Sequence, residues 1–494
     1  MDPHPEEPMP AAIDLKAAAR QEMIRDGFEP DLPPDAAHEV GVLPAHAANL
    51  GAIDASVRDL RSFDWSSIDN PESRDLDQVE VAELLPNGDI RVLVGIADVD
   101  SLVRTGSAID RHAAQNTTSV YCGVVVFPML PERLSTDLTS LNENVERLAV
   151  VIDFVVAPDG MIRSHDVYRA RLRNAAQLDY PSVGAWLESR AEAPAKVRAS
   201  AQLEQQLRLQ DRVAQVLRAK RHRAGALDLE TIEATAVSQD GRVTDLVVRP
   251  QNHATQLIED FMIAANGAMA TFLDEKGSSS IRRVVKVPER WDRIVALAAA
   301  LGETLPAAAD SGALADFLAK RRAADPDHFP DLSLSVVKLM GPGVYVLEKP
   351  GQPGEGHFGL AVHDYTHSTA PNRRFADLTT QRLLKAVLAG AKPAFTDDAL
   401  EQIAARCTTM EDAARKVERT CRKQAAAELL AGRVGESFDA IVTGRSASGT
   451  FVRTIHPPAE GMVVRGQQGM DVGDKVTVRL VGANPARGFI DFAR

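Results

Sequence analysis

Cysteine is scarce in this chain of 494 residues, which contains only three, at positions 122, 407 and 421. They are scattered and odd in number, so the sequence excludes a disulfide framework and a CxxC metal site. We therefore expect a reducing compartment and a cytoplasmic location. Long apolar runs are also missing, and the acidic, proline-rich start MDPHPEEPMP is untypical of a signal or transit peptide. This pattern predicts no contact with a membrane.

Positive charge is in short supply, because the formal net charge is -13. This value argues weakly against a nucleic-acid partner. The distribution matters more, since residues 1–60 carry 12 acidic and 4 basic side chains, whereas residues 431–494 carry 6 acidic and 8 basic ones. A local basic surface can bind phosphates in an acidic protein, so the charge leaves nucleic acid open as a partner.

The sequence pattern divides the chain into three units. Residues 1–60 form a small acidic module, in which a helix is predicted to stop at Gly27. Residues 61–430 look like one large α+β unit, with a buried strand from Ile90 onward and long amphipathic helices. Residues 431–494 contain about five short alternating segments separated by turn residues. This last pattern predicts a small all-β barrel such as an OB-fold.

Four acidic residues are crowded into nine positions of the stretch SIDNPESRDLDQVEVAELL, which then turns apolar. Like charges this close raise one another's pKa values, so a divalent cation is a natural partner. An EF-hand calcium loop is excluded, because Arg74 stands where that loop requires glycine. An exposed acidic turn and a Mg²⁺ site for phosphate chemistry both remain open. The four acids are Asp69, Glu72, Asp75 and Asp77.

A second motif centres on the neighbouring residues Arg373 and Arg374. The pattern predicts an amphipathic helix that begins after Pro371, which places both arginines in its first turn. Positive side chains oppose the helix dipole there, so the arrangement is typical of a phosphate-binding site. The alternative is that the two arginines pair with Asp364 and Asp377.

Together these motifs resemble a known family, the ribonuclease II / ribonuclease R exoribonucleases. The resemblance covers roughly residues 60–494, and its motifs occur in the expected order. It implies an α+β fold, with a large RNB-type catalytic domain between a small helical N-terminal module and a C-terminal OB-fold barrel. The motifs that carry it are SIDNPESRDLDQ, VGIADVDSLV, TSVYCGVVVFPMLPERLSTDLTSLN, LIEDFMIAAN and HFGLAVHDYTHSTAPNRRFADLTTQRLL.

The resemblance implies a hydrolytic 3′→5′ exoribonuclease in which single-stranded RNA reaches a buried Mg²⁺ site, where Mn²⁺ can substitute. The family's four metal-site aspartates map onto Asp69, Asp75, Asp77 and the position of Gln78. Two metals held by shared carboxylates would supply a deprotonated water and neutralise the phosphorane charge. The resemblance therefore implies that Asp69, Asp75 and Asp77 are catalytic.

Other family roles map onto residues that bind the RNA. The tyrosine that stacks on the 3′-terminal base maps to Tyr121, and stacking accepts any base. The alternative for Tyr121 is a core tyrosine with a satisfied hydroxyl. Arg373 maps to the arginine on the scissile phosphate, with Arg374 beside it, and Glu418 maps loosely to a glutamate near the terminal nucleotide.

Gln78 is the most serious departure from the family pattern. It leaves open a catalytically impaired RNA-binding protein of the same fold. Another acid could also replace the missing charge, namely Glu72, Glu80 or Asp98, although Asp98 fits equally a strand-end residue bonded to backbone. Residues 1–60 are too few for the two cold-shock barrels usual in the family, and they suit a small helix-turn-helix module instead.

The resemblance thus implies a Mg²⁺-dependent, processive 3′→5′ exoribonuclease that releases nucleoside 5′-monophosphates, and we expect it to be a monomer. Its expected partner is single-stranded RNA or RNA with a 3′ overhang. In the C-terminal barrel, aromatic and basic residues suit a surface for stacking and phosphate binding, and the phenylalanines equally suit the core. These residues are Phe438, Arg445, Phe451 and Arg453.

Overall fold

A computed structural model describes residues 13–44, 56–230, 232, 234–239, 242–326, 328–352, 354–446 and 449–494. The sequence also predicts a disordered tail at residues 1–10, which lie outside the described residues. The described residues form a mixture of helices and strands followed by an all-β domain, which confirms the predicted α+β fold. Within the described ranges, no helix has both the length and the apolar character needed to cross a bilayer.

A six-stranded sheet lies at the centre of the large unit, in the order β1-β8-β2-β3-β4-β7, and the long strand β8 also pairs with β7. Most of β3 and almost all of β4 are buried, which explains the continuous apolar run from Ile90. The strands are β1 (Arg58–Asp59), β2 (Trp65–Asp69), β3 (Gln78–Leu84), β4 (Ile90–Ala97), β7 (Glu146–Val156) and β8 (Ile162–Asp179).

Among the described residues, three two-stranded sheets accompany the central one. In the first of them, Tyr121 is the last residue of its strand. Its side chain faces Asp75 of the acidic stretch and Arg373 of the second motif. The strands are β5 (Val120–Tyr121) with β6 (Val126–Phe127), β9 (Ala234–Gln239) with β10 (Arg242–Val248), and β11 (Ser280–Val284) with β12 (Val344–Glu348).

Helices cover the sheets and supply the second half of the site. The apolar pattern of residues 254–273 predicts a helix, which is confirmed as α7, and Asn252 and Thr255 close its N-terminus as a capping box. The helices are α1 (Leu15–Arg25), α2 (Pro34–Gly41), α3 (Ala108–Asn116), α4 (Tyr180–Leu187), α5 (Ala195–Arg198), α6 (Ala201–Arg223), α7 (His253–Glu275), α8 (Trp291–Ala300), α9 (Ser311–Ala324), α10 (Phe329–Met340), α11 (Phe375–Leu388) and α12 (Asp397–Ala431).

The two N-terminal helices pack onto different parts of the large unit. The predicted stop of α1 is confirmed, since Gly27 follows it with a φ of +88°. Helix α1 buries Ala19 and Met23 against Met410 and Val417 of α12, whereas α2 packs against α3. The two N-terminal helices therefore pack against helices of the large unit.

The C-terminal strands close into a five-stranded barrel in the order β13-β14-β15-β17-β16, as predicted. Phe438 is only 5% exposed and belongs to the barrel core, and Arg453 is buried in an ion pair with Asp331 at 2.9 Å. These two residues therefore do not form the expected RNA-binding surface, whereas Arg445 is exposed. The strands are β13 (Ser437–Ser446), β14 (Gly449–Thr454), β15 (Glu460–Arg465), β16 (Lys475–Asn484) and β17 (Phe489–Ala493).

Candidate active site

The acidic stretch lies where β2 ends and β3 begins. Asp69 is the last residue of β2, and residues 70–77 form the loop that leads to Gln78 at the start of β3. The Asp69 Oδ1 atom accepts hydrogen bonds from the Asn70 N–H at 2.7 Å and the Ser73 hydroxyl at 2.9 Å. These bonds hold the loop in a tight turn, so its acids stay close to Asp69.

Asp77 joins the two motifs that the sequence singles out. It is fully buried, and its Oδ1 atom accepts the Asn372 N–H at 3.0 Å. Its Oδ2 atom accepts the Arg373 Nε–H at 2.7 Å, from a residue 296 positions further along the chain. Arg373 therefore pairs with Asp77 rather than with Asp364, which was the alternative suggested by the sequence.

Burial governs the protonation of the acids in this site. Desolvation raises the pKa of Asp77 to about 6, although the Arg373 charge and hydrogen bonds to Arg373 and Asn372 oppose the shift. Desolvation also raises the pKa of Asp75, against the opposing charge of Arg373. The negative charge of Asp69 adds to the increase at Asp75. The carboxylates of these acids therefore repel one another in a region that is largely removed from water. Such an arrangement is expected of a site that binds a cation.

Tyr121 lies next to Asp75, and both residues line a cavity. Its hydroxyl faces both Asp75 and the Arg373 guanidinium, and burial is the main cause that raises its pKa to about 12. The residue nevertheless remains 44% exposed. Its backbone N–H donates to Glu418 Oε1 at 2.9 Å, so Glu418 of α12 fixes the strand that carries Tyr121. The structure thus brings Tyr121, Glu418, Arg373 and Asp75 together.

The cavity beside Tyr121 has a volume of about 500 Å³. Its size falls in the range of sites for small ligands, and its lining carries both acids and arginines. Arg249, one of these arginines, bonds Asn70 at 2.7 Å and forms an ion pair with Glu72. The charged and aromatic lining residues are Glu72, Asp75, Tyr121, Arg249, Glu418 and Arg422.

The segment around the two arginines differs from the prediction. Helix α11 begins at Phe375, so Arg373 and Arg374 precede the helix instead of forming its first turn. The reason is that the Asp377 carboxylate accepts the Ala370 N–H at 2.8 Å and binds the Arg374 guanidinium through two hydrogen bonds. The Arg374–Asp377 pair matches the sequence alternative, and contact of Arg374 with RNA stays a prediction.

The three acids considered as replacements at position 78 have different surroundings. Glu72 is exposed and paired with Arg249. Asp98 caps the Ser101 N–H at 3.2 Å and pairs with Lys385 at 2.5 Å, which matches its structural alternative. Glu80 is fully buried, and neither of its carboxylate oxygens has a hydrogen-bond partner. Burial, followed by the charge of Asp69, raises the pKa of Glu80 well above its usual value.

Magnesium fits this site through the chemistry of its donors. In the described part of the chain, no three histidine, cysteine, aspartate or glutamate side chains converge into a ready-made metal site. Asp69, Asp75 and Asp77 nevertheless supply hard carboxylate oxygens, and Gln78 supplies an amide oxygen at the adjacent start of β3. Mg²⁺ commonly takes only one or two carboxylates and completes its shell with water and substrate phosphate. The residues present therefore fit such an ion.

Sequence reasoning missed several residues that complete the site. Arg249 follows β10, and its contact with Glu72 spans 177 positions, so no local pattern could reveal it. The backbone N–H of Asn372 donates a hydrogen bond to Asp77. Any residue type other than proline could donate this bond, so the identity of residue 372 does not predict it. Tyr180 faces both Asp69 and Glu80 at the start of α4. Tyr180 directly follows Asp179 of β8, which is the pairing partner of Asp69. This position was the only indication that Tyr180 belongs to the site.

Comparison with known proteins decides the family. The model of the RNB domain matches residues 57–390, which is more than half of the chain. The chain belongs to the RNB family. In addition, the model of the RNase II-type exonuclease C-terminal S1 domain matches residues 436–494. The resemblance seen in the sequence motifs is thereby confirmed, and the C-terminal barrel is an S1 domain.

Curated relatives of this RNB protein are named ribonuclease R. The protein from Thermotoga maritima is 30% identical over 501 residues, which cover 94% of this chain and 68% of the relative. Ribonuclease R 1 from Lactococcus lactis is 29% identical, with 88% of this chain and 56% of the relative covered. The Escherichia coli protein is 28% identical, with 88% and 57% covered. The chain thus spans about half to two thirds of the length of these relatives.

Solved structures share the fold of this RNB protein. Mycoplasma genitalium RNase R in complex with ribose methylated single-stranded RNA superposes with a TM-score of 0.85 at 22% identity, covering 97% of this chain and 78% of that one. The same protein in complex with double-stranded RNA gives a TM-score of 0.85 at 23% identity, with 97% and 83% covered. Yeast Ssd1, described as a pseudonuclease, gives 0.68 at 16% identity, with 91% and 55% covered.

Proposed function

We propose that this RNB protein is a Mg²⁺-dependent, processive 3′→5′ exoribonuclease that hydrolyses RNA to nucleoside 5′-monophosphates. The observation that carries the proposal is the ion pair of buried Asp77 with partly exposed Arg373, with Asp75 and Tyr121 beside it at a cavity. Phosphodiester hydrolysis needs acids for a metal, a cation on the phosphate, and a group that positions the base. All three kinds of group meet at this place.

Asp69, Asp75, Asp77 and Gln78 would hold Mg²⁺, which supplies an activated water and neutralises phosphate charge when it is bound. Arg373 presents a guanidinium whose Nε–H is already held by Asp77. Its remaining N–H groups can donate to phosphate oxygens, since a guanidinium carries five donors. The Asp77 bond fixes the orientation of the guanidinium before RNA arrives, which limits reorganisation during the reaction.

The cavity supports action on a chain end. Tyr121 exposes its ring to this space, so it can stack on a terminal base without selecting its identity. Glu418 holds the backbone of Tyr121, and Arg249 and Arg422 provide positive charge on the cavity wall. A terminal nucleotide seated against Tyr121 would place its phosphate toward Arg373, and cleavage there releases one nucleotide at a time.

The proposal also covers RNA capture, the substrate, the oligomeric state and the cellular location. The three-part division into residues 1–60, 61–430 and 431–494 assigns RNA capture to the C-terminal barrel, whose exposed Arg445 suits contact with phosphates. The substrate is single-stranded RNA or RNA with a 3′ overhang, and the protein acts as a monomer. A cytoplasmic setting agrees with three free cysteines, all of them buried.

The test is the degradation of 5′-labelled poly(A) with Mg²⁺, with Mn²⁺ and with EDTA. The expected result is a shortening ladder, loss of cleavage in EDTA, and released 5′-monophosphate detected by chromatography. An excess of unlabelled RNA added after binding reports processivity, because a processive enzyme finishes the chain that it holds. RNA binding without cleavage at every metal concentration would favour the alternative, an RNA-binding protein impaired by Gln78.

A further inference from the structure

Strand β3 places Gln78 and Glu80 on one face, because alternate residues of a strand point the same way. Gln78 carries no charge where the family pattern has an aspartate. Glu80, two residues later, has a carboxylate that is 0% exposed and lies within electrostatic reach of Asp69. The carboxyl group absent at Gln78 is therefore present a short distance along the same strand face.

Two further orphaned oxygen atoms surround Glu80. Ser66 of β2 is its cross-strand partner, and the buried Ser66 hydroxyl has no hydrogen-bond partner. Gln210 of α6 donates its Nε2–H to the Glu80 carbonyl at 3.4 Å, while its own Oε1 atom is buried and unpartnered. With both Glu80 carboxylate oxygens, four buried oxygens around one residue lack partners. Buried polar atoms are normally satisfied, so this cluster calls for a ligand.

Other buried carboxylates in the described ranges have cationic partners. Asp77 pairs with Arg373, and Asp331 pairs with Arg453 at 2.9 Å. Asp260 of α7 pairs with Arg221 of α6. The Glu80 carboxyl group has neither a hydrogen bond nor an ion pair among the described residues. A structural role alone would leave this group buried without a partner, which is costly.

We infer that Glu80 is a ligand of a divalent cation on the Asp69 side of the site, where its carboxylate replaces the charge that Gln78 lacks. This inference rests on the proposed function, since it specifies how the same site holds its cation. The Ser66 hydroxyl and the Gln210 amide oxygen are further oxygen donors on the elements beside Glu80, and oxygen donors suit Mg²⁺ or Mn²⁺ rather than Zn²⁺. Glu80 thus explains how the chain tolerates glutamine at position 78.

The experiment measures cation binding without RNA. Mn²⁺ binding is followed by electron paramagnetic resonance for the wild type, for Glu80→Gln and for the control Glu83→Gln on the same strand, whose carboxylate pairs with Arg91 at the protein surface. We expect Glu80→Gln to weaken Mn²⁺ binding by at least about tenfold, and Glu83→Gln to leave it unchanged. Melting temperatures with EDTA and with Mg²⁺ provide a second readout.

In EDTA, Glu80→Gln should melt at or above the wild-type temperature, because it replaces a buried carboxyl group that has no partner with an amide of the same shape, and Mg²⁺ should raise its melting temperature less than that of the wild type. If Glu80→Gln does not fold, Glu80→Asp is measured in its place, because aspartate retains the carboxyl group on a shorter side chain. Weaker Mn²⁺ binding by Glu80→Asp than by the wild type then supports the inference. Equal Mn²⁺ affinity of wild type and the folded Glu80 variant, or no Mn²⁺ binding by the wild type, overturns the inference.

The same experiment separates this inference from the proposed function. A wild type that binds Mn²⁺ in a Glu80-dependent manner but never cleaves RNA upholds the ligand role and refutes the exoribonuclease. A wild type that cleaves RNA with Mg²⁺, while Glu80→Gln binds Mn²⁺ equally well, upholds the exoribonuclease and refutes the ligand role. Each proposal therefore fails on its own observation.

Discussion

Asp77 and Glu80 lie three residues apart, and both are completely buried. The surroundings of the two carboxylates are opposite. Asp77 has the Arg373 guanidinium and the Asn372 N–H on its two oxygens, whereas neither Glu80 oxygen has a partner. The same chain therefore contains one buried carboxylate that is satisfied by protein groups and one that is not.

This difference divides the site into two halves. On the Arg373 side, the hydrogen bonds exist in the protein alone, so the guanidinium is oriented before substrate binds. On the Asp69 side, Glu80 and its neighbours gain partners only when a cation arrives, according to our inference. We therefore expect changes on the first side to affect chemistry and stability directly, and changes on the second side to act through the cation concentration that the protein needs.

Asp77→Asn should have the largest effect. The amide keeps the shape but removes the charge that faces Arg373 and the proposed metal, so we expect RNA hydrolysis to fall by at least about a thousandfold. RNA affinity should change by less than about threefold, because the backbone contacts along the RNA are elsewhere. Single-turnover cleavage and fluorescence anisotropy at one salt concentration measure the two quantities.

The matched control for this change is Asp153→Asn, a buried aspartate that pairs with Arg91 at 2.5 Å away from the site. It should leave cleavage unchanged. An Asp77→Asn protein that binds RNA tenfold more weakly and still cleaves would contradict the assigned role of Asp77.

Arg373→Ala should lower the cleavage rate by about a hundredfold or more, since it removes a preorganised donor to the phosphate. It should also destabilise the fold by about 2 kcal/mol, because it leaves Asp77 buried without a cation while Arg373 itself is partly exposed. In an Asp77→Asn background, the same substitution should cost less than half as much stability. Equal costs in both backgrounds, measured by urea unfolding, would show that the pair is not coupled.

The pKa of Asp77 predicts a pH dependence of stability. Because burial raises this pKa to about 6 in the folded protein, the folded state binds more protons than the unfolded state between pH 4 and pH 6. The Asp77 contribution to stability is therefore present at low pH and is lost as the pH rises through 6. Between pH 4 and pH 7.5 the loss amounts to about 2 kcal/mol.

Asp77→Asn lacks this titration, so its stability relative to the wild type should improve over that range. Melting temperatures of both proteins in EDTA at the two pH values test this expectation, with Asp153→Asn as the control. A constant difference between Asp77→Asn and wild type across the range would mean that Asp77 titrates normally in the fold.

Local patterns predicted much of the fold and part of the site. The stop of α1 at Gly27, the buried strand from Ile90 and the C-terminal barrel follow from residue types and short-range periodicity. The start of α11 does not, although Pro371 normally marks a helix start. Side-chain contacts decide it: the Asn372 N–H bonds the distant Asp77, and Asp377 bonds the nearby Arg374 side chain.

The contrast between Asp77 and Glu80 was also invisible in the sequence. The first five residues of β3 are all buried, so alternation of polar and apolar residues does not report which side chains face the site. The partners of Asp77 lie 295 and 296 positions away, and the lack of partners for Glu80 is a property of the packing. Long-range packing therefore supplied what periodicity could not.

Gln78→Asp should have the smallest effect, because it adds a charge that Glu80 is inferred to provide already. We expect it to lower the Mg²⁺ concentration needed for half-maximal cleavage by only about threefold in the otherwise wild-type protein. In a Glu80→Gln background, the same change should lower that concentration by about tenfold or more, since position 78 then carries the missing charge. The measurement is a Mg²⁺ titration of the initial rate at one RNA and salt concentration. Superimposable curves in both backgrounds would mean that position 78 does not contribute to cation binding. A wild type that is inactive at every Mg²⁺ and Mn²⁺ concentration, with an active Gln78→Asp, would instead identify the protein as a catalytically impaired RNA binder.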